Sequence, residues 1–349
     1  MQKKILIAMS GGVDSSVAAY LMQQAGFSCG GAIMDLWDTG ASTAKADAKA
    51  VANRMGMDFH ILDAAKPFRR QVVDYFVGSY EDGLTPNPCI ACNRHLKFGW
   101  FLDRARELGY DGIATGHYAR IRIHPDNGRF LLCKAADANK DQSYFLSCLN
   151  QQQLACAHFP LGELTKEEAR KIAQEQGFLN AKKKDSQDIC FVPDGDYVRF
   201  MKEYTGKDYP AGDFLDMDGK VVGRHQGAVA YTRGQRKGLG LAMGHPVYVC
   251  GKDMEKNTVT VGENEQLFSA SLLADDWNFF PFDTLTAPLR CKAKARSRMV
   301  EQAATVYPEE NGLCRVVFDE PQRALTTGQA VVLYDGDTVI GGGTITSIL

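Results

Sequence analysis

The chain has 349 residues, of which 45% are hydrophobic and 23% charged, with ten cysteines and a formal charge of −2. That is globular composition with material for two or three domains, and it carries no global nucleic-acid signature. Any RNA contact must come from local basic surface.

Residues 3–9 form a short apolar run, the pattern of a strand buried on both faces. Val13 to Gln24 then has helical spacing, with Gly26 placed to end the helix. A strand at 29–37, an alanine-rich helix at 41–56, a strand at 58–62 and a helix at 66–80 follow. After a proline-rich loop at 84–92, a helix at 93–108 precedes an apolar strand at 111–115. Such alternation predicts an α/β unit with a parallel sheet covered on both faces. From about residue 205 the texture turns β-rich, the pattern of a small barrel or sandwich, and the expectation is a small central β-rich domain followed by a C-terminal β-barrel. The expected units are 1–200, 201–270 and 271–349. No stretch approaches the ~20 apolar residues of a membrane span, and no export signal is evident. The expected location is the cytoplasm, where thiols stay reduced. Cys29, Cys133, Cys148, Cys156, Cys250, Cys291 and Cys314 then read as core residues.

Ser10-Gly11-Gly12-Val13-Asp14-Ser15-Ser16 lies between the first strand and the first helix. Such a turn aims backbone N–H groups and a helix dipole at one point, and its glycines let an anion approach. It is neither a GxxxxGK[ST] loop nor a GxGxxG fingerprint. It resembles the Ser-Gly-Gly-x-Asp-Ser signature of the PP-loop ATP pyrophosphatases. That resemblance implies ATP bound by Ala8, Met9, Ser10, Gly11, Gly12, Val13, Asp14 and Ser15, with Asp14 positioning Mg²⁺ or phosphates and Met34 against the adenine.

Two cysteine segments stand out. Thr85-Pro86-Asn87-Pro88-Cys89-Ile90-Ala91-Cys92-Asn93 leads into a helix, placing Cys92 near a helix N-terminus, where the dipole favours a thiolate. Arg94 and Lys97 add positive charge. Cys190 sits in Asp185-Ser186-Gln187-Asp188-Ile189-Cys190-Phe191, behind Lys182-Lys183-Lys184. With Thr115-Gly116-His117-Tyr118 and Lys140-Asp141-Gln142-Ser143-Tyr144-Phe145-Leu146, these segments resemble the motifs of tRNA-specific 2-thiouridylases. The resemblance runs from the first strand to Gly341-Gly342-Gly343.

The resemblance implies a concrete reaction. ATP adenylates O2 of the wobble uridine of Lys-, Glu- and Gln-type tRNAs. Cys190 carries sulfur as a persulfide from a cysteine desulfurase or relay protein. Cys92 is the nucleophile that closes a transient Cys92–Cys190 disulfide. Gly116 joins the ATP site, and Asn87, Pro88, Cys89, His117, Lys140, Asp141, Gln142, Arg296, Ser297 and Gln329 meet the target base or tRNA. The protein is expected to be a monomer. One residue departs from the family pattern, which has Asp where this chain has Cys89. Cys89, Cys92 and Cys190 could hold a [4Fe–4S] cluster; a pure persulfide route and a zinc site are the other readings. A PP-loop ligase or amidotransferase acting on a small molecule is the rival reading of the whole chain.

Residues 289–299 alternate small and basic. As a strand they would project Arg290, Lys292, Lys294, Arg296 and Arg298 from one face, spaced to follow phosphates. Tyr231-Thr232-Arg233-Gly234-Gln235-Arg236-Lys237-Gly238 offers a second basic loop.

Overall fold

The computed structural model describes residues 2–37, 42–181, 183 and 189–349. Most of the Asp185–Ile189 segment before Cys190, with Lys182 and Lys184, lies outside the described residues.

The first unit is built on β1 (Lys4–Ala8), β2 (Ser28–Asp35), β3 (Phe59–Asp63), β4 (Gly112–Ala114) and β7 (Ala157–His158), all parallel, in the order β3-β2-β1-β4-β7. Its helices include α1 (Val13–Gln24) and α2 (Ser42–Arg54) on one face. The central strand shows why its sequence is uniformly apolar. Ile5 and Ile7 enter the core on the side of these helices, and Leu6 enters the core on the other side. After β1 the chain builds outward through β2 and β3, then returns to place β4 on β1's opposite edge. The order therefore reverses between β1 and β4, and the crevice beyond their carboxyl ends is where an open α/β sheet accepts a ligand.

Two further helices close the opposite face. The first, α3, covers 65–81. The second, α4, covers 88–107, with a π-helical middle at Cys92–Trp100. The expected start at 93 is corrected by one cap. Asn87 Oδ1 accepts from the Ile90 N–H at 3.4 Å, and Pro88 fills the first helical position, where its missing N–H costs nothing.

The central unit is a four-stranded mixed sheet, ordered β10 (Tyr248–Asp253), β11 (Thr258–Gly262), β8 (Gly212–Leu215) and β9 (Val221–His225). In the last unit β12 (Phe268–Phe279), β15 (Cys314–Arg323), β14 (Gln302–Pro308), β13 (Leu289–Lys294), β16 (Ala330–Asp335) and β17 (Thr338–Ile348) close into a six-stranded barrel through the β12–β17 pairing. The hairpin of β5 (Arg120–Ile123) and β6 (Phe130–Cys133) extends this barrel's sheet from β17, although its residues belong to the first third of the chain. Phe280, Val332, Tyr334 and Val339 also share one hydrophobic cluster with Leu6, Ile113, Phe98 and Tyr144. The outer units are thus packed into each other. No described helix is long and apolar enough to cross a membrane.

Candidate active site

A cavity of about 400 Å³ opens at the β1/β4 crevice. Its wall includes Ala8, Met9, Ser10, Asp14 and Ser15 after β1, Met34 at the end of β2, and Thr115, Gly116 and His117 after β4, together with Lys97, Gln142 and Cys190. The glycine loop and one of the two predicted sulfur-handling cysteines therefore share a single space.

The loop is shaped by close contacts. Gly11 has φ +71°, and a Cβ there would lie 2.5 Å from Ala44 O, so backbone shape and space both demand glycine. Gly12 occupies the N-cap of α1 without a capping side-chain bond, which leaves the first turn open to an anion. Val13 itself faces the core, so its part in any anion site is its backbone. Ser15 Oγ and Ser16 Oγ both donate to Gly12 O, at 3.0 and 3.1 Å. Gly116 lies against the same turn: a Cβ on it would stand 2.8 Å from Asp14 C and Ser15 N.

Asp14 is already an engaged anion. Lys166 Nζ donates to both its oxygens at 2.7 Å, and Tyr118 Oη donates to Oδ1 at 2.9 Å. Asn180, buried, donates to Gly11 O at 3.2 Å and Ser16 Oγ at 2.9 Å. Sequence reasoning missed Lys166 and Asn180, because each arrives from a distant segment with no motif around it. Tyr118 was visible only as the last residue of a quoted motif.

On the opposite side, Lys97 Nζ lies 3.3 Å from His117 Nε2, and His117 Nδ1 lies 2.7 Å from Thr115 Oγ1. An ammonium only donates, so Nε2 accepts and Nδ1–H donates to the threonine. Burial, then Lys97, hold the His117 pKa well below the usual 6.5, which agrees with a neutral ring. Lys97 also lowers the pKa of Cys89, Cys92 and Cys190 against the stronger upward push of burial. Cys190 is pushed up to about 11, first by burial and then by Cys92 and Cys89. Cys92 and Cys89 thus each act electrostatically on Cys190.

The expectation of a dipole-activated Cys92 is corrected. Its helix starts at Pro88, so Cys92 is the fifth residue, half-buried, and burial raises its pKa. Arg94 is no help to the thiol either, since it forms a two-pronged pair with Asp276 of β12. Cys89 and Cys190 are exposed. Among the described residues, no three His, Cys, Asp or Glu side chains gather closely enough to hold a single metal ion. Of the seven cysteines read as core, Cys133, Cys250, Cys291 and Cys314 are buried, and Cys29, Cys148 and Cys156 half-buried.

The remaining predicted residues scatter. Asn87 and Pro88 form the helix cap. Gln142 lines the cavity, and its Oε1 accepts from the Tyr118 N–H at 3.0 Å. Asp141 is occupied within its own loop, accepting from Ala135 N at 3.0 Å and Ser143 Oγ at 2.7 Å. Lys140 is half-buried beside it, as is Ser297 in its turn. Gln329 Nε2 donates to Thr85 O at 2.9 Å, tying the barrel to the cysteine loop. The basic strand keeps its alternation only to Lys294. Arg296 lies beyond it and turns inward to Ala324 O and Thr326 Oγ1, and Arg290 pairs with Asp319. Arg233 likewise bonds Cys250 O and Gln266 O, while Arg236 and Lys237 stay exposed.

Comparison with known proteins matches this site to a family. The model for a "tRNA methyl transferase HUP domain" fits residues 3–194, that for a "tRNA methyl transferase PRC-barrel domain" fits 198–263, and that for an "Aminomethyltransferase beta-barrel domain" fits 269–345. The tRNA-specific 2-thiouridylase MnmA of Clostridioides difficile is 45% identical over 355 residues, covering 99% of this chain and 98% of its own. The enzyme of that name from Acetivibrio thermocellus is 47% identical over 356 residues, with 99% of each chain covered. The chain belongs to the tRNA-specific 2-thiouridylases. A solved 4-thiouridine synthetase–RNA complex with bound ATP is far more remote, at 16% identity and TM-score 0.40 over 58% of this chain and 50% of its own. In this member of the family the glycine loop, the Gly116 turn and Cys190 are three walls of one cavity, and the helix bearing Cys92 contributes Lys97 to it.

Proposed function

We propose that this protein is an ATP-dependent tRNA sulfurtransferase that converts the wobble uridine to 2-thiouridine, releasing AMP and pyrophosphate. The observation that carries the reading is the shared cavity: an anion-binding turn and Cys190 face the same space. End-to-end likeness to 2-thiouridylases disfavours a small-molecule ligase.

ATP rests its phosphates on the open first turn of α1, between Ser10 and Ser15, with the adenine toward Met34 and the α-phosphate beside Gly116. Mg²⁺ bound with the nucleotide would neutralise its phosphates, with Asp14 the carboxylate at this turn that would help to position it. The Lys166–Asp14–Tyr118 set holds the turn's shape. Uridine O2 attacks the α-phosphorus, pyrophosphate leaves, and C2 gains AMP as a leaving group. The terminal sulfur of a Cys190 persulfide, supplied by a desulfurase or relay protein, attacks C2 and AMP departs. The Cys92 thiolate then attacks Cys190 Sγ, leaving sulfur on C2 and a Cys92–Cys190 disulfide. Lys97 sits where it stabilises each transient thiolate. His117 and Gln142 border the target base, and Lys140, Ser297, Arg236 and Lys237 offer polar or cationic surface to tRNA. Asp141, Arg296 and Gln329 act through the loops they brace. We divide the chain into units of 1–200, 201–270 and 271–349, a reading that the three separate family-model matches support.

The test is an assay with wobble-uridine tRNA, ATP, Mg²⁺ and a persulfide donor. Cys190→Ser abolishes 2-thiouridine while tRNA-dependent AMP release stays measurable. Equal thiolation by wild type and variant would sink the sulfur-carrier role.

A further inference from the structure

Cys89 has no part in the cycle just described, yet it stands where a third thiol could act. It is the second residue of the helix that begins at Pro88, and it is exposed. Cys92 follows on the next turn and is half-buried. Residues three apart on a helix have Cα atoms about 5 Å apart, inside the roughly 4.4–6.8 Å a disulfide spans. Cys89 is also near enough to Cys190 to influence its ionisation, and Lys97 acts on all three sulfurs.

We propose that Cys89 is the resolving thiol: it attacks Cys92 Sγ of the Cys92–Cys190 disulfide, forms Cys89–Cys92 and frees Cys190 for the next sulfur. This rests on the sulfur-transfer reading above. The exchange is redox-neutral: one S–S bond forms as one breaks, the electron pair stays on Cys190 Sγ, and Cys190 takes up the proton that Cys89 gave up. The disulfide thereby leaves Cys190, which lines the cavity, for a Cys-x-x-Cys at a helix start whose Cys89 is exposed and lies outside the cavity wall. A dithiol reductant then attacks Cys89 Sγ, is itself oxidised to a disulfide, and leaves Cys89 and Cys92 as thiols. Reduction need not wait for the cavity to empty.

The experiment compares wild type with Cys89→Ser. Each receives ATP, wobble-uridine tRNA and one equivalent of persulfide without reductant, then is acid-quenched and alkylated for disulfide mapping by peptide mass. Spent wild type is expected to carry Cys89–Cys92, and Cys89→Ser to carry Cys92–Cys190. At limiting dithiothreitol the variant's steady rate after its first-turnover burst falls about tenfold below wild type, and the gap closes as dithiothreitol rises. A packing defect would not respond to reductant. Spent wild type carrying Cys92–Cys190, or equal steady rates at limiting reductant, overturns the proposal and leaves the sulfur-transfer reading standing. Thiolated tRNA with no disulfide in either protein overturns both.

Discussion

Cys190 faces the cavity with its pKa raised to about 11, so at neutral pH it is a thiol awaiting sulfur. Below that pKa the thiolate fraction grows about tenfold per pH unit. Alkylation of Cys190 by iodoacetamide should therefore climb steadily from pH 7 to pH 9; a plateau near pH 7 would show an activated thiolate instead. Gly11 makes an equally local claim. Gly11→Ala forces a side chain against Ala44 O at φ +71°, a strain of roughly 1–3 kcal/mol if the loop holds its shape. The expected outcome is at least tenfold weaker ATP binding by calorimetry with tRNA binding retained. The residue types at these two positions were legible from motif alone. The Lys166–Asp14 pair was not, since a lysine 152 positions away leaves no local pattern.

The helix 88–107 shows what an element adds. Its middle is π-helical, and the Phe101 N–H reaches back five residues to Leu96 O. Wider turns bring residues five apart onto one side, which is how Lys97 comes to act on Cys92. A 3.6-residue period applied to the sequence turns Lys97 away. The helix is also tied at several points, among them Asn93 Nδ2 to Phe145 O at 2.9 Å, Gln153 Nε2 to Arg94 O at 3.0 Å, and Arg94 to Asp276. Asn93 is buried, so Asn93→Ala should cost about 1–3 kcal/mol, read as a lower midpoint in urea unfolding. Asp276→Ala removes an ion pair whose members are 35% and 51% exposed, worth at most about 1 kcal/mol. Its expected signature is kinetic: slower thiolation with an unchanged KM for ATP. A raised KM for ATP would place the effect at the glycine loop instead.

At the scale of the molecule, the barrel and the parallel-sheet unit share a core and a sheet. They should unfold together, giving one calorimetric transition; two well-separated transitions would contradict the shared cluster of Phe280, Tyr334 and Leu6. The parallel sheet, the β-rich remainder and the glycine turn could all be read from the chain, because each depends on local periodicity or on a backbone shape few residues allow. The hairpin at 120–133 could not, since its pairing partner β17 begins 205 positions after Cys133. The inward turn of Arg296 likewise depends on the Ala324 carbonyl and the Thr326 hydroxyl, which arrive with a later loop. The sequence alone determined the chemistry on offer: an anion-binding turn and thiols in a recognisable order. Only the tertiary structure decided which of those groups share a cavity and which charges are already spent on partners, because burial and pairing depend on segments that meet only when the chain is folded.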